Sequence, residues 1–340
     1  MFAVSQIIER NLNRREPGAS ALWINPEKDD CWRPVNTLCT LLKLFSQDYG
    51  SYSYLKQTGA NTEFLAFPRT DEKYDWVILN LPRQKVLLGM MLDCAAAMLA
   101  ADGVLWLAGE NKAGIKSADK LLKSRFSVIR KLDSARHCSL FEASKPHKLP
   151  TFNPHTYREQ WVLDCALSGI KVYSYPGVFA HGRLDDGTAL LLDTLAQQQP
   201  KGEVLDFACG AGIIGACIAA RDPDVRVTLL DAHALALKAA GETLQANRLN
   251  GLVLASDGLS ELESNFDLVV SNPPIHASVK TDNQFGMRLL DSIPEHIKPG
   301  GQFIFVANIH LPYEKWLSKS FRSYRKVAAN GNYKVLAAKK

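Results

Sequence analysis

The chain has 340 residues, 46% hydrophobic and 22% charged, which excludes a disordered or fibrous protein and leaves room for two domains of about 150 residues each. No apolar run approaches the roughly 18 residues of a membrane span, and the opening MFAVSQIIERNLNRR lacks a signal-peptide cleavage pattern, so a cytoplasmic location without membrane contact is expected. The net charge of +5 belongs to the first half: residues 1–150 carry 21 Lys+Arg against 16 Asp+Glu, and residues 151–340 carry 19 against 19.

In chain order, ALWINPEKDD (Ala21 to Asp30) ends an early strand without any G-x-G turn, and YDWVILNLPRQK (Tyr74 to Lys85) is a strand that stops on Asn and Pro. AADGVLWLAGE (Ala100 to Glu110) reads as a helix end, a glycine and a strand. GENKAGIKSADKLLKSR (Gly109 to Arg125) sets Lys112, Lys116, Lys120 and Lys123 at close to helical spacing, one basic stripe suited to phosphates. An exposed lysine face that only solubilises accounts for the same pattern. FSVIRKLDSARHCSLFEASK (Phe126 to Lys145) reads as an antiparallel hairpin closing a sheet. KPHKLPTFNPH, with three prolines and little periodicity, is a linker that divides the chain into residues 1–148 and 149–340.

Beyond the linker, strand and helix patterns alternate. GEVLDFA, VRVTLLD, LVLASD, FDLVVSN and GQFIFVAN are strands, separated by the helix IIGACIAARD and an alanine-rich helix from His233, and FRSYRKVAANGNYKVLAAKK closes the chain as a second hairpin. Such alternation implies an α/β fold with a parallel, doubly wound sheet whose ligand sites lie at the carboxyl ends of the strands. The halves also repeat each other: Tyr74–Lys85 parallels Phe266–Ala277, Ala100–Glu110 parallels Ile297–Asn308, and Phe126–Lys145 parallels Phe321–Lys340 at a constant offset of 195. Three matches in one order indicate duplication. The seven cysteines include no C-x-x-C pair and sit in apolar contexts, so no metal site is expected. Lys315 to Lys340 holds eight basic residues and no acidic one, a second basic segment that favours a polyanion partner.

The end of the first strand after the linker carries LDFACGAGIIG. Gly210, Gly212 and Gly215 match G-x-G-x-x-G, and Asp231 ends the next strand. That spacing serves a dinucleotide equally well. Three details favour S-adenosyl-L-methionine: Asp206 inside the strand end suits an ammonium and would repel a pyrophosphate, Asp257 ends the third strand where an adenine amino group can donate, and the fourth strand ends on Asn272, Pro273 and Pro274. Asp231 suits the ribose hydroxyls. A helix cap explains Asp206 alone, and a turn explains Asp257 alone.

This motif set resembles a class I S-adenosylmethionine-dependent methyltransferase. Together with the duplication and PGVFAHGRLDDGTALLL (Pro176 to Leu192), it is similar to the bacterial ribosomal RNA guanine-N2 methyltransferases, more to the small-subunit branch. The resemblance implies two tandem Rossmann-like domains, the first degenerate and serving as scaffold or RNA platform, S-adenosyl-L-methionine as cofactor, and a monomer acting on 16S rRNA or the small ribosomal subunit. Asn272, Pro273 and Pro274 are then catalytic: the Asn272 side-chain oxygen and a neighbouring main-chain carbonyl hold the guanine amine, and the prolines fix their directions. The family has glycine at the place of Ala208, which lies in the cofactor turn, and an aromatic residue at the place of Ile275. His276 or Phe179 is the candidate to stack on the base in its stead. Other planar amines (a large-subunit rRNA guanine, a DNA adenine, a protein glutamine), an inactive RNA-binding assembly factor, and an NAD-dependent dehydrogenase stay open as alternatives.

Overall fold

The computed structural model describes residues 1–69, 71–82, 84–147, 151–164, 169–273 and 290–340. It divides into two compact units, Met1–Tyr157 and Arg158–Lys340. The division lies later than the 148/149 boundary expected from the linker prolines, and the cause is aromatic. Phe152 packs against Phe67 with ring centroids 5.6 Å apart and stacks on Tyr157 at 6.0 Å, while the Tyr157 hydroxyl donates to Asp93.

The first unit is a seven-stranded sheet of β1 (Ala19–Ile24), β2 (Cys39–Ser46), β3 (Thr62–Phe64), β4 (Tyr74–Asn80), β5 (Leu99–Glu110), β6 (Phe126–Ala135) and β7 (Cys138–Pro146), in the spatial order β3-β2-β1-β4-β5-β7-β6. β1 to β5 run parallel, and β6 and β7 close the edge as an antiparallel hairpin. Consecutive residues Trp76, Val77, Ile78 and Leu79 are all buried, so both faces of the sheet are covered, which is why β4 is apolar throughout rather than alternating. The helices are α1 (Ala3–Glu9), α2 (Trp32–Thr37), α3 (Tyr49–Gln57), α4 (Lys85–Met98) and α5 (Ala118–Lys123).

The lysine stripe is not one helical face. Lys112 lies in a 3-10 turn, Asn111–Ala113, and Lys116 in another, Ile115–Ser117; only Lys120 and Lys123 share α5. Gly114 separates the turns with φ +97°, a conformation that ends a helix and that glycine adopts without strain. Lys112 lies 3.3 Å from Glu110 and Lys123 lies 2.6 Å from Asp119.

The second unit repeats the plan. Its strands are a two-stranded ribbon of β8 (Glu159–Val162) and β9 (Lys171–Ser174), then β10 (Glu203–Phe207), β11 (Arg226–Asp231), β12 (Leu252–Ala255), β13 (Phe266–Ser271), β14 (Ile297–Asn308), β15 (Ser323–Ala329) and β16 (Tyr333–Lys339). The sheet order is β12-β11-β10-β13-β14-β16-β15. The helices that lie wholly within the described residues are α6 (Asp186–Ala196), α7 (Ile213–Arg221), α8 (Ala234–Ala246) and Glu314–Ser320. Phe303 and Phe305 stack 4.5 Å apart and meet Trp316, Phe321 and Tyr313, an aromatic core under β14 whose burial stabilises by about 1.5–3 kcal/mol per side chain.

The duplication extends to the strand register. Trp23 pairs with Ile78 as Asp206 pairs with Val270, and Ile78 aligns with Val270 in the sequence repeat. Trp23 therefore stands at the Asp206 position. By the same register Ser46, ending β2, stands at the Asp231 position, and Ala66, two residues beyond β3, stands where Asp257 follows β12. The buried Trp23 indole donates to Asn80 Oδ1 at 2.9 Å, and Asn80 is the counterpart of Asn272.

Candidate active site

β10 delivers the chain into the glycine turn. Ala208 has φ 58°, Gly210 54° and Gly212 74°, with Gly212 at the start of α7. A Cβ on Gly212 would come within 2.8 Å of Leu229 and 3.0 Å of the Ala240 Cα, so this glycine is required both by its conformation and by the closeness of α8. Ala208 adopts the same left-handed region with a side chain, at a cost of roughly 1–2 kcal/mol.

Asp206 is fully buried. Its Oδ2 accepts the Gly215 N–H at 2.8 Å, whereas Oδ1 has no partner among the described residues. Burial pushes its carboxyl up to about 7, the Gly215 hydrogen bond opposes the shift, and the nearby Asp231 adds to it. A buried carboxylate oxygen left unpaired is a place for a donor or a cation. At the end of β11, Asp231 accepts the Gly210 N–H on Oδ2 and the His233 N–H on Oδ1, each at 2.9 Å. Burial raises its carboxyl too, against the pull of these two amides. Asp231 thus clamps the glycine turn to the second strand, a structural task that sequence spacing did not reveal, and each oxygen keeps a further lone pair. Asp257 is exposed in a bend just beyond β12, and the Ser256 N–H, donating to the Asp231 carbonyl at 3.2 Å, holds that strand end beside β11.

Asn272 follows β13 directly. Its Nδ2 donates to Asp185 Oδ2 at 3.0 Å and to Thr188 Oγ1 at 2.9 Å. A carboxylate only accepts, so the amide orientation is fixed by chemistry, and Oδ1, without a hydrogen bond among the described residues, is the end left for a ligand. Asp185 does double duty as the N-cap of α6, accepting the Thr188 N–H at 3.0 Å. Ser271, one residue earlier, is buried and donates to the Phe207 carbonyl at 2.7 Å, which ties the end of β13 to the end of β10. Pro273 is buried; Pro274, Ile275 and His276 lie outside the described residues.

Asp185 and Thr188 escaped the sequence reading as site residues. Their local signal was a cap: Asp three residues before Thr at the start of the apolar run of DGTALLL. That signal announces a helix start and says nothing of Asn272. Phe179 lies in the turns between β9 and α6 and is 48% exposed, a large aromatic face turned to solvent. In the same turns, His181 Nδ1 meets Ser174 Oγ at 3.0 Å, and burial lowers its pKa.

The chain matches two family models, described as methyltransferase small domain over residues 169–337 and methyltransferase small domain N-terminal over residues 5–161. It is 34% identical to the ribosomal RNA small subunit methyltransferase C of Shewanella amazonensis, across 99% of this chain and 98% of that protein. Against the protein of that description from Pseudomonas entomophila it is 44% identical, across 71% of this chain and 72% of the relative. Among solved structures, the T. thermophilus 16S rRNA N2 G1207 methyltransferase in complex with AdoMet and guanosine superposes with a TM-score of 0.86 at 22% identity, covering 100% of this chain and 92% of that one.

Proposed function

Because the chain belongs to the ribosomal RNA small subunit methyltransferase C family, we propose that it transfers a methyl group from S-adenosyl-L-methionine to the exocyclic N2 amine of a guanine in 16S rRNA. The observation that carries this reading is Asn272, whose amide nitrogen is engaged by Asp185 and Thr188 while Oδ1 is left to accept an N–H.

The residues at the strand ends fit the cofactor. The unpaired Asp206 Oδ1 receives the methionine ammonium, the remaining lone pairs of Asp231 receive the ribose hydroxyls, Asp257 receives the adenine amino group, and the turn from Ala208 to Gly212 lets the backbone approach closely. When bound, S-adenosylmethionine supplies an electrophilic sulfonium methyl group. The guanine N2 lone pair is delocalised into the ring; Asn272 Oδ1 and the Asn272 or Pro273 main-chain carbonyl accept hydrogen bonds from its two N–H groups, which turns the lone pair out of conjugation. Pro273 restricts Asn272 to extended dihedrals, so these acceptors are set before the base arrives. The N2 proton becomes acidic only once the N–C bond has formed and is then lost to solvent, so the chain needs no strong base during transfer, and its contribution is position and orientation. A paired guanine cannot present N2 to such acceptors, so the target is unpaired or flipped, with Phe179 a stacking surface for it.

Among its described residues the first unit has no comparable site. Trp23, Ser46 and Ala66 replace the three acids, and the Trp23 indole occupies the Asn80 oxygen, so this half acts as scaffold. Lys116 and Lys120 are its candidate phosphate contacts. Nucleoside mass spectrometry of 16S rRNA from a deletion strain tests the assignment. N2-methylguanosine should fall by one residue per 16S rRNA and return with the wild-type gene but not with Asn272→Ala. An unchanged content in the deletion strain refutes it.

A further inference from the structure

The internal repeat supplies a control for the basic edge of the second sheet. β6 and β15 are the outer strands of their sheets, and they match at the offset of 195 down to the register shift, which falls between Lys131 and Asp133 in one and between Lys326 and Ala328 in the other. Both carry an exposed Arg-Lys pair, Arg130-Lys131 and Arg325-Lys326.

Their surroundings differ in charge. In the first unit Arg130 faces Glu142 across the ladder, and Asp133 follows on the same strand. In the second, Arg325 faces Ala337, and Ala328 stands where Asp133 does. Val128 and Ile129 give way to Ser323 and Tyr324, the latter 40% exposed, and Ser127 gives way to Arg322. Of the eight basic residues from Lys315 onward, Lys334 is taken up by Glu314 at 2.5 Å and Lys340 by the Ile297 carbonyl at 2.7 Å. Lys319, Arg322 and Arg325 make no ion pair among the described residues.

Charge of either sign on an edge strand prevents edge-to-edge pairing, and the mixed edge of the first unit meets that need. An edge of one sign with an exposed aromatic is instead a phosphate track with a stacking surface. We propose that β15, with the adjoining helix Glu314–Ser320, is the surface by which the second unit grips the phosphate backbone of an unpaired RNA segment flanking the target. This rests on the rRNA reading above.

The test uses the full chain and a 16S rRNA transcript, with binding measured between about 50 and 200 mM KCl. Replacing Arg322, Arg325 and Lys326 together by Gln should reduce the slope of log affinity against log salt by about 0.7 per lost contact, about 2 in all. The KM for RNA should rise at least about tenfold while kcat and the Kd for S-adenosylmethionine stay within about twofold, and Arg325→Lys with Lys326→Arg should behave as wild type. Arg130→Gln with Lys131→Gln should change the slope by less than half as much. A triple variant with the wild-type slope, or a first-unit pair that lowers it equally, overturns the proposal. If the wild-type chain fails to methylate 16S rRNA, free or in the small subunit, the rRNA reading falls, and the slope comparison still decides the grip.

Discussion

Asp185→Ser separates the two tasks of Asp185. Serine caps a helix about as well as aspartate, so the Thr188 N–H keeps an acceptor and α6 keeps its start. The shorter hydroxyl does not reach Asn272, whose Nδ2 now lies 3.0 Å from Asp185 Oδ2. A hydrogen bond to a charged group contributes about 1.5–3 kcal/mol. Thr188 Oγ1, at 2.9 Å, still holds part of the amide, so the lower end applies, and part of that energy appears as misorientation of Oδ1 in the transition state. With about 1.4 kcal/mol per decade of rate, kcat for methyl transfer to 16S rRNA should fall roughly 3- to 10-fold. Cofactor affinity should remain within about twofold, since Asp185 contacts none of the acids that line the turn, and the thermal midpoint should move little. Single-turnover kinetics with radiolabelled cofactor, calorimetric titration and a melting curve give the three numbers. A kcat within twofold of wild type refutes the claim that Asp185 orients Asn272, and equal loss of kcat and cofactor affinity would mean that Asp185 shapes the cofactor pocket instead.

Ala208→Gly relieves a left-handed alanine and should stabilise the chain by about 1 kcal/mol in urea unfolding, with unchanged activity. Asp206 titrates about 7 in the folded chain against an ordinary 3.8, so the ligand-free fold holds an extra proton between these values. Its contribution to stability is therefore complete below pH 4 and lost as the pH rises through 7. Cofactor binding, which requires the carboxylate, runs the other way: affinity should weaken about tenfold per unit below pH 7, and Asp206→Asn should flatten both profiles. Asp231→Ala should weaken S-adenosylmethionine binding by about 1–3 kcal/mol in calorimetry and also lower the thermal midpoint, because the Gly210 and His233 amides lose their acceptor; an unchanged Kd excludes the ribose role.

The fold was legible in the sequence because its signals are local. Apolar strand runs alternate with helical patterns, glycines stand where φ must be positive, and the two hairpins align without a gap at 195 residues, which marks both halves as one α/β plan, whereas the strand order of each sheet emerged only from the structure. The strand ends were legible for the same reason: Asp206, Asp231, Asp257 and Asn272 each close a recognisable run, and an α/β sheet brings carboxyl ends to one side. Tertiary structure alone decided what those residues touch. Asp185 meets Asn272 across 87 positions of sequence, through the packing of α6 against the sheet. Spacing made Lys112 to Lys123 a stripe, and Gly114 with the burial of Ile115 broke it into separate turns. Trp23 reads as one more core residue until the register sets it at the place of Asp206 with its indole on Asn80. A side chain's local pattern records the backbone it favours, whereas its chemical partner is chosen by strands and helices distant in sequence, and that choice exists only once they pack.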